Sequence, residues 1–100
     1  MPSIRIRGDE YVSLEFKPRK GGSFEFELDS DLPVKTYVVG PAALERFEEG
    51  STTFKYWGGF ADARKHQKQK IWLPFTGPVY LLVINPNPDH TATIEYEVYY

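Results

Sequence analysis

The sequence predicts an all-β domain: an antiparallel β-sandwich of about eight strands, jelly-roll-like, with one short helix near residues 41–49. Three observations carry that expectation. Apolar and polar residues alternate along most of the chain, clusters of Gly, Pro and Asp interrupt the alternation about every eight to twelve residues, and one stretch alone has helical character. A small barrel is the competing closure.

Taken in order, Ile4 and Ile6 alternate with Arg5 and Arg7 up to the break at Gly8-Asp9. Val12, Leu14 and Phe16 alternate with Ser13, Glu15 and Lys17, and "KPRKGG" (Lys17 to Gly22) ends that run. Phe24, Phe26 and Leu28 alternate with Glu25, Glu27 and Asp29 until "DSDLP" (Asp29 to Pro33), whose residues favour turns. "VKTYVVG" (Val34 to Gly40) reads as the next strand. "PAALERFEE" (Pro41 to Glu49) then has Pro in a first-turn position, good helix formers, and Gly50 as a stop.

Four further strands are expected in "STTFKYW" (Ser51 to Trp57), "QKIWLPF" (Gln69 to Phe75), "PVYLLVIN" (Pro78 to Asn85) and "TATIEYEVYY" (Thr91 to Tyr100). "VYLLVI" is apolar at both parities, as suits a strand covered on both faces, whereas the last segment sends Ile94, Tyr96 and Val98 one way and Glu95 and Glu97 the other. These two strands read as a hairpin closed by "NPNPDH". No internal repeat or low-complexity segment is found.

One hundred residues suit a single domain spanning 1–100, and 41% hydrophobic with 26% charged residues is ordinary globular composition. The chain has no cysteine, which excludes disulfides and thiolate zinc sites and favours a reducing cytoplasm. Its beginning, "MPSIRIRGDEYV", has no apolar leader-like run, and "VYLLVI" falls far short of the roughly 20 residues that span a bilayer. A net charge of −2 gives no general attraction to duplex nucleic acid, so charge-based recognition must be local.

With the pattern laid out, "GGSFEFEL", "VKTYVV" leading into "ALERFEEG", "FKYWGG" and "IWLPFTGPVYLLVI" together resemble a small bacterial domain of unknown function often joined to TIR domains. The likeness spans Gly21 to Ile84, and its sharpest element is the aromatic-Gly-Gly break after a short helix. The ending "GPVYLLVINPNPDHTATIEYEVYY" is similar to the final hairpin of GOLD-type (Golgi dynamics) β-sandwiches. Both resemblances imply a compact β-sandwich used for binding or assembly, and neither implies a reaction. The long basic insert, Ala61 to Lys70, departs from the first pattern.

That insert holds Arg64, Lys65, Lys68, Lys70 and His66, about +3 once Asp62 is subtracted, in a chain that is otherwise net negative. Read as a loop flanked by Tyr56, Trp57 and Trp72, it offers charge for a phosphate and rings for stacking. The competing reading is a solvated connection whose charges blunt an exposed sheet edge. If the following strand starts early, alternation puts Gln67, Gln69 and Ile71 on one side and Lys68, Lys70 and Trp72 on the other. Aromatics make up 16% of the chain, so some of the Tyr and Trp are expected at a surface. Gly58-Gly59 suits a bulge or sharp bend as well as an anion cradle.

Catalytic chemistry is not expected. His66 and His90 lie in separate segments, and Ser51 has no strand-turn-helix motif around it. Asp29, Asp31, Asp9 and Glu10 are calcium-ligand types, but turns use the same residues to cap backbone. The sequence is therefore read as a non-catalytic module with no cofactor and no metal, acting through a protein partner or self-association. Two alternatives stand beside this: a sensor of a small phosphorylated or nucleotide-like ligand, and a carbohydrate-binding module. The candidate ligand-binding residues are Tyr56, Trp57, Arg64, Lys65, Lys68 and Trp72.

Overall fold

The computed structural model describes residues 2–18, 22–74 and 77–100. Along the described chain come β1 (Ser3–Ile6), β2 (Tyr11–Phe16), β3 (Ser23–Val39), α1 (Pro41–Glu48), β4 (Gly58–Trp72), β5 (Val79–Ile84) and β6 (Ala92–Tyr99). All pairings are antiparallel, and the strands form one curled sheet in the order β1-β6-β3-β5-β2, with β4 on the remaining edge of β3. Among the described residues the fold is all-β with a single short helix, as the alternation implied.

Six strands replace the expected eight among the described residues. β3 runs through the predicted break at "DSDLP" and fuses two expected strands; Ser51 to Trp57 is irregular; and β4 absorbs the basic segment expected as a loop. Gly21 and Phe75, at the ends of two predicted segments, lie outside the described residues.

The turn-favouring residues of β3 make a bend rather than a reversal. Asp29 faces His66 and Val34 faces Arg64, so Ser30 to Pro33 bulge away from β4. Proline has no amide hydrogen to give a ladder, and here Pro33 sits where the ladder to β4 is already interrupted. The Ser30 hydroxyl accepts the Leu32 amide at 3.2 Å, and the Asp31 carboxylate accepts the Thr93 amide at 2.8 Å. A second register shift follows on β4, between Arg64 and Phe60.

The bend divides the sheet into two arms that share the β3–β4 ribbon. Before the bend β3 pairs with β6, and after it with β5, so among the described residues the hairpin expected of these last two strands does not form: each pairs with β3 instead, on different arms. The inner faces of both arms meet in one apolar cluster that includes Phe24, Phe26, Leu28, Leu81, Val83 and Ile94. Burial of such side chains contributes about 1.5–3 kcal/mol each before ordering costs.

A second, smaller cluster lies on the outer face of the β5 arm. There Ala43 and Leu44 of α1 cover Val39 and Leu82, flanked by Tyr37, Phe47, Phe54 and Tyr80. The apolar-at-both-parities strand β5 is thus covered on its two sides. The helix ends on Gly50 at φ +91°, whose amide bonds the Phe47 carbonyl while the Ser51 amide bonds the Arg46 carbonyl, both at 3.0 Å. This paired closure needs a left-handed residue, which glycine supplies.

The free edge of β4 as candidate functional site

The sharp closure of the ribbon explains the residues around the Gly-Gly pair. A Cβ on Gly58 would sit 2.2 Å from Ile71 Cδ1, and one on Gly59 would sit 2.3 Å from the Thr36 carbonyl oxygen. Gly59 also has φ +114°, a conformation that side-chain-bearing residues rarely adopt. The pair is the bend device, one of the two readings its sequence allowed.

Inside the bend the inward positions of β4 are glutamines. Gln67 Oε1 accepts the Thr36 hydroxyl at 2.5 Å, and its Nε2 donates to the Val34 carbonyl at 2.8 Å. Gln69 Oε1 accepts the Gly59 amide at 2.6 Å, and Thr36 Oγ1 accepts the Phe60 amide at 3.1 Å. No buried side-chain polar atom among the described residues lacks a partner.

Outward from the same strand point the basic residues and a tryptophan. Gln67 and Ile71 are buried, whereas Lys68, Lys70 and Trp72 are exposed, the face assignment that alternation predicted. Trp72 is 70% exposed, with the Lys70 ammonium 5.6 Å from its ring centre. Across the strand Lys70 faces Glu25, Lys68 faces Glu27 and His66 faces Asp29, with His66 and Asp29 in side-chain contact.

The remaining cations differ in their commitments. Arg64 donates two bonds to Asp62, at 3.0 and 3.1 Å, and lies 4.7 Å over the Phe60 ring. That guanidinium holds the Asp62 carboxyl below its ordinary value. Among the described residues Arg64 forms an ion pair with Asp62 and the His66 ring contacts Asp29, while Lys65, Lys68 and Lys70 have no carboxylate in ion-pair contact.

The six candidate residues do not share one surface. Tyr56, 50% exposed, packs edge-on against Tyr37 and near Phe54, on the α1 side of the sheet. Trp57 packs against the main core and borders a groove of about 270 Å³ lined by Gly40, Pro41, Ala42, Ala43 and Lys55, with the Lys55 ammonium 4.5 Å over its ring. Lys68 and Trp72 lie together on the opposite outer face, with Lys65 and Arg64 farther along the same strand. Lys70, which is not among the six candidates, shares their row.

Among the described residues β4 is paired on one side only, to β3. Its other edge, over residues 65–72, therefore carries backbone N–H and C=O groups with no strand opposite them. No group of three or more His, Asp or Glu among the described residues is arranged to hold a metal ion. No helix among them is long and apolar enough to cross a membrane. No protein-family model and no curated protein matches the chain.

Proposed function

We propose that the chain is a non-catalytic binding module of the cytoplasm, in which two sheet arms close as a jelly-roll-like β-sandwich and β4 recruits a protein segment by strand addition. The observation that carries this reading is the placement of Trp72, 70% exposed at the end of a strand that, among the described residues, pairs on one side only. Main-chain hydrogen bonds along residues 65–72 would supply affinity, and Trp72 would anchor one side chain of the partner. The sequence resemblance to TIR-associated and GOLD-type domains would imply binding or assembly and agrees with this reading.

The test is amide hydrogen exchange on the complex with whatever protein the chain captures. Slower exchange across 65–72 together with a shifted Trp72 indole signal supports strand addition. Protection confined to another face, with β4 exchange unchanged, overturns it.

A second reading, a sensor of a small phosphorylated or nucleotide-like ligand, draws on a different place. The groove beside Trp57 joins an aromatic face, the Lys55 ammonium and the first turn of α1. Titration with a nucleotide pool, followed by the Trp57 indole signal, separates it from the first. Stacking of a sugar on Trp72 is the remaining alternative, and salt-independent binding would mark it.

A further inference from the structure

We infer that the segment recruited by β4 is acidic, with carboxylates on alternate residues and an apolar or aromatic residue two positions beyond them. The inference rests on the strand-addition reading and gives its partner a chemistry.

A strand added to the free edge would lie about 4.8 Å from β4, with directly opposed Cβ atoms about 5 Å apart. Because side chains alternate, every second residue of the newcomer would stand on the outer face beside the row His66, Lys68, Lys70, Trp72. Lys68 and Lys70 have no ion pair among the described residues, while His66 is already held by Asp29. Two adjacent outward positions thus ask for carboxylates and the third asks for a ring or an aliphatic chain. Like charges directly opposed are unfavourable, so a basic segment is rejected at the same positions.

The protein already contains one solution to this pattern. On its paired side, β4 meets β3 with Glu25 opposite Lys70, Glu27 opposite Lys68 and Asp29 opposite His66. Antiparallel addition to the free side would call for an apolar residue first and then two alternate acids, and parallel addition for the reverse order. A second copy adding antiparallel through its own β4 with Lys68 opposite Lys70 fails the same criterion, since it would set like charges against each other.

The probes are three synthetic peptides: Tyr-Thr-Glu-Thr-Glu-Thr extended by neutral residues at both ends, the same with Gln for Glu, and the same with Lys for Glu. Each is titrated into the full isotope-labelled chain, followed by amide shifts, amide exchange and the Trp72 indole signal. The acidic peptide is expected to slow exchange over 65–72, shift the Trp72 indole and bind more weakly as salt rises. Lys68→Gln with Lys70→Gln, both at exposed positions, should weaken it about five- to tenfold while the melting temperature stays near that of the parent.

Equal protection by the Gln peptide would overturn the acidic requirement while leaving strand addition standing. Shifts at the lysines without slower exchange in β4 would mean simple anion attraction and overturn the inference. If none of the three peptides touches 65–72, the inference falls, and exchange on the captured complex decides strand addition separately.

Discussion

The Thr36 hydroxyl donates to Gln67 Oε1 at 2.5 Å, and both side chains are buried where the β3–β4 ribbon turns back on itself. Thr36 also accepts the Phe60 amide, and Gln67 also reaches the Val34 carbonyl, so the pair ties the two strands across both of their register shifts. Apolar residues could fill the same volume, but they would leave these backbone groups unpaired.

Thr36→Val is therefore expected to destabilise the fold by about 1–3 kcal/mol, the usual cost of stranding buried partners. Gln67→Leu should cost a similar amount through the Val34 carbonyl. Because the two residues share one network, the double variant should lose clearly less than the sum of the single losses, as read from chemical denaturation of all four proteins.

The bend also shows which parts of this fold can be read from the residues alone. β1, β2, β5, β6 and α1 follow from local signals, since each alternates, caps or stops within its own few residues. "DSDLP" carries genuine turn chemistry, yet whether such a signal reverses the chain or bends a continuing strand depends on long-range pairing with β4 and β6. "ADARKHQKQ" reads as a loop because its inward residues are glutamines, so no apolar alternation marks it, although Gln67 is as buried as core leucines. Only from Gln67 to Trp72, where Ile71 restores the contrast, does alternation name the faces correctly. The split of Tyr56 and Trp57 from Trp72 had no local signal: it follows from β4 being one long strand with its two ends on different arms.

Gly59→Ala should be the most damaging single methyl in the chain's bend. Its Cβ would meet the Thr36 carbonyl at 2.3 Å in a backbone conformation of positive φ, so strain and overpacking act together, at about 2–4 kcal/mol. Gly50→Ala, with positive φ but no atom within 4 Å of the added Cβ, isolates the conformational part and should cost about 1 kcal/mol. Thermal melts of the two variants provide the comparison.

Asn85 joins three connections at once and should be equally intolerant of change. It is fully buried, its Nδ2 donates to the Ile6 and His90 carbonyls at 2.9 and 2.7 Å, and its Oδ1 accepts from the Asn87 amide at 3.0 Å. Asn85→Ala is expected to cost about 2–4 kcal/mol and to speed amide exchange in β1 and the β5–β6 connection ahead of the rest of the molecule.

Stability should decline at alkaline pH through four tyrosines. Tyr11 and Tyr99 are raised above the ordinary 10.0 chiefly by hydroxyl bonds to Glu48 and Glu97; Tyr37 and Tyr80 are raised first by burial, and Tyr80 further by Glu15. A raised folded-state value means the neutral phenol is favoured in the fold, so this contribution is whole below about pH 10 and is lost as pH rises through the folded values. Denaturation midpoints measured on either side of pH 10 should fall, and Tyr11→Phe should flatten part of that fall. A midpoint that is level across the range would remove the assignment.

The basic row has a second consequence for the isolated protein. A fifteen-residue edge strand with unpaired backbone groups is a template for self-pairing unless its charges forbid it, and β4 keeps lysines at 65, 68 and 70. Replacing all three by threonine preserves strand propensity and removes the repulsion, so copies should pair edge to edge. Sedimentation velocity should then show a heavier species for the triple variant than for the parent at equal concentration, and raising the salt should move the parent in the same direction by screening. Trp72→Ala in the triple variant should reduce that association without altering the melting temperature, because a ring 70% exposed contributes to what docks on β4 far more than to the core beneath it.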